Sequence, residues 1–372
     1  MSTKQLNISI AQLNYHTGNF EYNTNKIISH IQKAKQQGVD VIVFSELSIC
    51  GYPPRDFLVF NDFIEQCESA LNTIAINCIG IAAIVGAPSR NNHPKGKDLF
   101  NSAYVLVDGK VRDVVHKTLL PNYDVFDEYR YFESNNEFKI VTIKDVKIAL
   151  TICEDLWNVN DNPLYQINPM DELFKHQPEV MINIAASPFS KYKPEERVKV
   201  MQTNVNKYKL PLFYVNLVGA QTQLIFDGGS MVLNQENNVV DTFTLFEEQC
   251  RNYKLDINNN TTVITPLQAS TQNNNNHIAN VHDALVLGIR EYFFKQGFKK
   301  ATLGLSGGID SAVVLALAAK ALGPENVRAV LLPSQYSSTH SIDDALALAK
   351  NLGTPYDIIN IENTYQTIID TL

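Results

Sequence analysis

Three residues of different chemistry each stand at the end of an apolar run. Glu46 follows Val41-Ile42-Val43-Phe44-Ser45, Lys117 follows Val114-Val115-His116, and Cys153 follows Ile148-Ala149-Leu150-Thr151-Ile152. If these runs are strands of an open α/β layer, their carboxyl ends are where ligands bind. A thiol, a carboxylate and an ammonium converging there can cleave an amide. The sulfur attacks the carbonyl carbon, the carboxylate takes the thiol proton and hands it to the leaving amine, and the lysine stabilises both the thiolate and the oxyanion. Singly, each residue has a plainer reading: a buried cysteine that packs, a carboxylate that caps a strand, a solvated lysine.

A second chemistry-bearing run lies near the far end of the chain: Gly304-Leu305-Ser306-Gly307-Gly308-Ile309-Asp310-Ser311. It follows the short apolar run Ala301-Thr302-Leu303 and precedes the helical pattern 312–318. A loop between a buried strand and a helix N-terminus presents unpaired N–H groups and positive dipole potential to an anion. Glycines let the backbone approach closely, the two serines add hydroxyl donors, and Asp310 offers a carboxylate to a magnesium ion. The run reads as a pyrophosphate-binding loop. It is not a Walker A loop, because the Gly-Lys-Ser/Thr ending is absent.

The elements that must position these residues alternate along the chain. Strands are expected at 7–13, 39–44, 81–86, 102–107, 146–152, 180–184, 212–215 and 230–233, with helices at 23–37, 62–77 and 194–208 and a hairpin turn at Asp108-Gly109. Such a mixture implies an α/β sheet covered by helices. The polar, asparagine-rich stretch from Asn258-Asn259-Asn260 to Asn273-Asn274-Asn275-Asn276 breaks the rhythm. The domains are therefore expected at 1–257 and 280–372, with a linker at 258–279. Beyond it come a helix at 281–296, the loop unit, strands at 327–332 and 356–361, and helices at 342–351 and 365–372. That leaves room for about three strands where an open nucleotide-binding sheet usually has about five, so the second domain is expected to be partial, as in a fragment of a longer protein.

Bulk composition narrows the class. The chain has 372 residues, 45% of them hydrophobic, and a formal net charge of -8, so there is ample core and no basic surplus for nucleic acid. No apolar run is long enough to span a bilayer, and the sequence opens directly into a strand pattern without a signal peptide. Five scattered cysteines without metal-ligand spacing fit a reducing cytoplasm. Cys50, Cys67, Cys78 and Cys250 are expected as buried small residues, His116 as a packing or hydrogen-bonding group, and Trp157 as a pocket wall or core residue.

The words around the three residues carry a resemblance. Phe44-Ser45-Glu46-Leu47-Ser48-Ile49-Cys50-Gly51-Tyr52-Pro53, His116-Lys117-Thr118-Leu119-Leu120-Pro121-Asn122-Tyr123 and Ile152-Cys153-Glu154-Asp155-Leu156-Trp157, in this order, resemble the Glu-Lys-Cys segments of the nitrilase superfamily. The resemblance runs from about residue 5 to about residue 256 and implies a four-layer αββα sandwich of the α/β class. The Cys-Glu-Asp-Leu-Trp run is similar to the glutaminase branch. The later run resembles the SGGxDS loop of the PP-loop ATP pyrophosphatases, implying a partial Rossmann-like domain. Both together, with 283–292 and Leu332-Pro333-Ser334-Gln335-Tyr336-Ser337-Ser338, resemble the glutamine-dependent NAD synthetases.

That resemblance implies Glu46 as general base, Lys117 as oxyanion-stabilising lysine and Cys153 as nucleophile. It implies glutamine contacts at Tyr123, Ser187 and Lys193, a second carboxylate at Glu128, and a pocket wall at Tyr52. Arg197 is open between a substrate carboxylate contact and a helix-surface salt bridge. It implies ATP bound by Gly304, Leu305, Ser306, Gly307, Gly308, Ile309, Asp310 and Ser311, with Mg2+ on Asp310. Glutamine, ATP and deamido-NAD are the implied partners, in a cytoplasmic homo-oligomer with a closed interdomain or intersubunit ammonia path. The family continues past this chain into a Thr-Gly-Asn-Lys-Ser-Glu type segment that nothing from Ser341 to Leu372 resembles, so glutaminase activity is expected more firmly than synthesis. The rival readings are a stand-alone amidase with an inactive nucleotide domain, another PP-loop amidotransferase, and a non-catalytic scaffold.

Overall fold

The computed structural model describes residues 3–159, 165–258, 261–268 and 276–372. The chain divides into two compact units, Met1–His277 and Ile278–Leu372. The first unit opens with β1 (Lys4–Gln12), α1 (Phe20–Gln36), β2 (Val41–Val43), α2 (Asn61–Ala75), β3 (Ala82–Arg90), β4 (Leu99–Val107) and β5 (Lys110–His116). Its second half runs β6 (Val141–Ile143), β7 (Val146–Ile152), α3 (Pro169–Phe174), β8 (Val180–Ala185), α4 (Lys193–Tyr208), β9 (Leu212–Asn216), β10 (Val218–Gln221), β11 (Leu224–Asp227), β12 (Met231–Leu233) and β13 (Val239–Thr242). β14 (Gln249–Asn258) and β15 (Thr261–Pro266) return to the first sheet, whose order is β15-β14-β1-β2-β3-β4-β5; the second sheet is ordered β13-β12-β9-β8-β7-β6.

Period-two burial explains the continuous apolar runs. Ile8, Ile10, Val41, Val43, Ile84 and Val105 pack into the core shared with Ile148, Leu150, Ile182, Phe213 and Val215 of the second sheet. The intervening Ile42, Ala83, Val85 and Leu106 pack instead with Ile27 and Ile31 of α1 and Ile64, Leu71 and Ile74 of α2. Strands buried on both faces must be apolar at every position. Met170 and Leu173 of α3 and Met201 and Val205 of α4 belong to the cluster on the second sheet. The layers are therefore helix, sheet, sheet, helix. In each sheet three neighbouring strands are parallel, β1-β2-β3 and β7-β8-β9, so their carboxyl ends share one side of their sheet.

The structure departs from expectation at three places. The stretch expected as linker contains β15, which pairs antiparallel with β14 over its length; residues 259–260 and 269–275, with most of the asparagine runs, lie outside the described residues. β14 itself was not expected as a strand, because Arg251, Asn252 and Asp256 interrupt its apolar pattern. The Arg251 guanidinium is buried against Asp241 at 2.7 Å, and Tyr253 donates to the same carboxylate at 2.6 Å. Cys250 is exposed rather than buried, its sulfur 3.2 Å from the Ser9 hydroxyl.

In the second unit α5 (His277–Gln296) precedes β16 (Ala301–Gly304), α6 (Ile309–Leu322), β17 (Val327–Leu331), α7 (Thr339–Leu352), β18 (Tyr356–Ile358) and α8 (Glu362–Thr371). The sheet has three strands, β16-β17-β18, all parallel. Its small core holds Leu305, Leu315, Val327, Ala329, Leu331, Ala345 and Ala349.

Candidate functional site

Glu46, Lys117 and Cys153 are each delivered by a strand end. Glu46 lies three residues beyond β2, in a turn pressed against β3 at Gly86: the Ile49 N–H donates to the Gly86 carbonyl at 3.1 Å and the Gly86 N–H to Ser48 Oγ at 3.2 Å. A Cβ at Gly86 would overlap the backbone of Ser45, Glu46 and Leu47, so only glycine permits this approach. Lys117 follows β5 directly, its N–H bonded to the Asn101 carbonyl of β4 at 2.8 Å. Cys153 follows β7 at φ 44°, and Leu47 beside Glu46 has φ 46°. Left-handed backbone at bulky residues is strained and marks places where side chains are aimed by the surroundings.

The Lys117 ammonium is wholly buried and clasped by two carboxylates, at 2.7 Å from Glu46 Oε1 and 2.9 and 2.8 Å from the two oxygens of Glu128. Glu46 Oε1 also accepts from Asn101 Nδ2 at 2.7 Å, and Oε2 from the Ala186 N–H at 2.9 Å. Tyr52 donates to Glu128 at 3.0 Å. Burial opposes the charge on Lys117, but Glu128 and Glu46 outweigh it and hold the amine well above its usual range. Burial raises Glu128 to about 7 against the pull of Lys117. Burial and then the Glu46 charge push the Cys153 thiol well above its ordinary range, with Lys117 opposing. The resting thiol is therefore protonated and sits in the field of a carboxylate and an ammonium.

A further carboxylate ties two of these segments together. Asp155 Oδ1 accepts the N–H groups of Thr118 and Leu119, both at 2.9 Å, and Oδ2 accepts that of Ile152 at 3.0 Å. The turn bearing Cys153 is thus stapled to the segment following Lys117. Burial raises Asp155 to about 6.

The remaining expected contacts surround this cluster unevenly. Tyr52 and Glu128 join it directly. Tyr123 is partly exposed and donates to Glu154 at 3.0 Å, where Tyr165 also donates at 2.6 Å. Ser187 is buried after β8, its N–H bonded to Asn216 Oδ1 at 2.9 Å. The Lys193 ammonium lies 4.0 Å above the Trp157 ring and 3.1 Å from Glu196. Arg197 is neither on the helix surface nor open to a ligand carboxylate: it is buried and bidentate to Asp227 at 2.9 and 3.1 Å, with the Ser187 hydroxyl at 3.4 Å. His116 turns from Lys117 to the Ser102 hydroxyl at 2.7 Å and stacks on Phe100 at 4.3 Å; burial lowers it to about 4.

Sequence reasoning missed Asn101, Asp155, Asn216 and Asp227. Asn101 left a faint signal, a lone amide in the mostly apolar Leu99–Val107. Asp155 was visible in the Cys-Glu-Asp run but had no assigned partner. Asp227 stands thirty positions from Arg197, beyond the reach of any local pattern.

In the second unit the loop leaves β16 and enters α6. Gly308 caps the helix, and the Ser306 and Ser311 hydroxyls lie 3.1 Å apart. Gly307 has φ 84°, and a Cβ there would overlap the Ser341 carbonyl. Gly304, Leu305 and Ser306 line a cavity of about 260 Å³ with Leu332, Pro333, Ser337 and Ser341, at the carboxyl ends of β16 and β17. Asp310 and Ile309 are exposed on the first turn of α6, outside the cavity lining. Among the described residues no group of three or more His, Cys, Asp or Glu side chains could hold a metal ion, and no helix is long and apolar enough to cross a membrane.

The two units match two families: residues 7–265 match the carbon-nitrogen hydrolase family profile and residues 281–372 that of NAD synthase. A glutamine-dependent NAD(+) synthetase of Synechocystis is 41% identical, with 93% of this chain and 63% of the relative covered. That of Thermotoga maritima is 35% identical, with 99% and 67% covered. The solved glutamine-dependent NAD+ synthetase of Acinetobacter baumannii, in complex with ADP, superposes with a TM-score of 0.89 at 32% identity over 99% of this chain and 67% of that one. A nitrilase-superfamily amidase of Nesterenkonia shares the fold at 18% identity, TM-score 0.56, over 66% of this chain and 90% of its own. The chain spans about two thirds of the length of these synthetases. With both units matched in order and nearly its whole length aligned, the chain belongs to the family of glutamine-dependent NAD(+) synthetases.

Proposed function

We propose that the first unit hydrolyses glutamine and that the ammonia released serves an ATP-dependent amidation of deamido-NAD in the second. Cys153 Sγ attacks the γ-amide carbon of glutamine while its proton passes to Glu46. The oxyanion forms against Lys117, which Glu128 and Glu46 keep in the ammonium form. Glu46 then protonates the departing nitrogen, ammonia leaves, and a glutamyl thioester remains. Water attacks this thioester, Glu46 takes its proton, and glutamate is released with the thiol restored. A free thiolate would add negative charge beside two buried carboxylates, so proton transfer and attack are coupled. Tyr123, Ser187 and Lys193 are the proposed glutamine contacts, with Tyr52 lining the pocket.

In the second unit the carboxylate of deamido-NAD attacks the α-phosphorus of ATP, pyrophosphate leaves, and ammonia displaces AMP from the acyl adenylate to give NAD. Activation is required because a carboxylate is a poor electrophile. The N–H groups and hydroxyls of 304–311 hold the leaving phosphates. Asp310 would hold a magnesium ion, an exposed carboxylate beside a phosphate loop being enough when phosphates complete the coordination. When bound, the ion would neutralise phosphate charge. The same reading gives a homo-oligomer in the cytoplasm, whose reducing conditions suit five free cysteines.

The observation that carries the reading is the buried Lys117 clasped by Glu46 and Glu128, whose charges act on the Cys153 thiol. The test measures glutamate release from glutamine and NAD formation side by side. Glutamine turnover that Cys153→Ala lowers by at least about 1,000-fold supports it. Preference for a nitrile or carbamoyl compound, with no response to ATP and deamido-NAD, overturns it in favour of an amidase.

A further inference from the structure

We propose that Asn101 is a positioning residue that selects which oxygen of Glu46 receives the thiol proton. The inference rests on the glutaminase reading above. Asn101 lies on β4, between the two carboxylates: its Nδ2 donates to Glu46 Oε1 at 2.7 Å and reaches Glu128 Oε2 at 3.4 Å. Two acceptors on one side fix the amide orientation, since an amide oxygen cannot face them. The consequence is visible on its other side, where buried Asn101 Oδ1 has no hydrogen-bond partner among the described residues. A buried acceptor without a protein partner is unfavourable, so this orientation is set by the bonds of the donor.

That donor completes Glu46 Oε1. A carboxylate oxygen has two lone pairs, and Oε1 already accepts from Lys117 Nζ and Asn101 Nδ2, both at 2.7 Å. Among the described residues Oε2 accepts only the Ala186 N–H, at 2.9 Å, and retains one open lone pair. The thiol proton therefore goes to Oε2. Asn101 also keeps Oε1 from taking a proton from Lys117, which would leave the oxyanion without its cation. The Asn101 carbonyl holds the Lys117 N–H as well, so one residue registers both partners. The titratable groups around Glu46 are Lys117 after β5, Glu128 on the turn beyond it, Cys153 after β7 and Tyr52 on its own turn.

The test compares pH profiles of kcat/KM for glutamine in the 372-residue chain and its Asn101→Leu variant, with the pH dependence of Cys153 alkylation by iodoacetamide measured in parallel. Loss of a hydrogen bond to a charged group lowers kcat/KM about 10–100-fold. Losing a donor favours the protonated carboxylate, so the acid limb moves up by about one pH unit in both measurements. Asn101→Asp decides the matter if the leucine variant fails to fold: its protonated form can donate to Oε1 and its ionised form cannot, so activity relative to wild type falls as pH rises. An unmoved acid limb in Asn101→Leu, or a wild-type profile in Asn101→Asp, overturns the proposal. Alkylation that shifts as expected between wild type and Asn101→Leu, in wild-type protein that does not turn over glutamine, sinks the glutaminase reading and leaves the positioning role standing. Silence in both assays sinks both.

Discussion

The two candidate sites of this chain handle charge in opposite ways. In the first unit a lysine and two carboxylates are removed from water, and nearly every donor and acceptor among them is assigned to a protein partner. In the second, the loop from Gly304 to Ser311 is largely open, and among the described residues its hydroxyls bond only to one another and to the loop's own backbone. The first arrangement suits a reaction whose charges appear inside the site and must be met by groups already in place. The second suits a highly charged ligand that brings its own charge and is gripped by N–H groups. A buried network should be costly to break and sensitive to pH, whereas an open loop should be forgiving except where its backbone geometry is unusual.

Lys117→Met tests the cost most directly. It leaves Glu46 and Glu128 buried without their cation, and breaking a buried ion pair from one side costs about 3–5 kcal/mol. Thermal unfolding of the first unit should show this as a large fall in Tm, and a fall no greater than that of an exposed charge would erase the contrast. Glu128→Gln tests the pH sensitivity. Glu128 titrates near 7 in the folded chain against 4.5 in its ordinary state. Between these values the unfolded chain has lost the proton and the folded chain keeps it, so stability falls as pH rises, by about 3 kcal/mol over the interval. Below 4.5 the contribution is fully present and above 7 it is gone. The glutamine variant should flatten the dependence of Tm on pH across that range, and an unchanged slope would assign it to other groups, Asp155 first.

Legibility in the sequence followed the same division. The strands carrying Glu46 and Cys153 were readable because strands buried on both faces are apolar at every position. The phosphate loop was readable because its glycines and serines are contiguous. What escaped was whatever closes over long separations. Asp227 meets Arg197 across thirty residues, Asn101 reaches Glu46 across fifty-five, and β14 pairs with β1 from the far end of the unit. A buried arginine also has the same letter as an exposed one. Arg197 on a helix with Glu195 and Glu196 at its first turn reads as a surface ion pair or a ligand contact until Asp227 is placed beneath it. β15 was hidden among polar residues because it is the edge strand of its sheet, with exposed positions alternating along it.

In the second unit the backbone, not burial, is the sensitive element. Gly307→Ala places a side chain at φ 84° and against the Ser341 carbonyl, a strain of about 1–3 kcal/mol concentrated in the loop. Nucleotide binding, followed by calorimetry with ATP, should weaken while glutamine turnover in the first unit stays near wild type; equal loss of both would mean that the loop is not an independent site. The smallest effect is expected at Arg328 and Asp357, an exposed ion pair across β17 and β18 with N–O distances of 2.5 and 2.8 Å. Its geometry is as close as that of Lys117 with Glu46, and the charges again favour one another, the arginine hydrogen bonds lowering Asp357 below its usual range. Yet both side chains stay in water in the folded chain, so little desolvation accompanies their pairing and little is left uncompensated when one is removed. Asp357→Asn should therefore move Tm by no more than about a degree, where Lys117→Met moves it by many. A comparable fall from both would show that short ion-pair distances alone, without burial, set the stability of this chain.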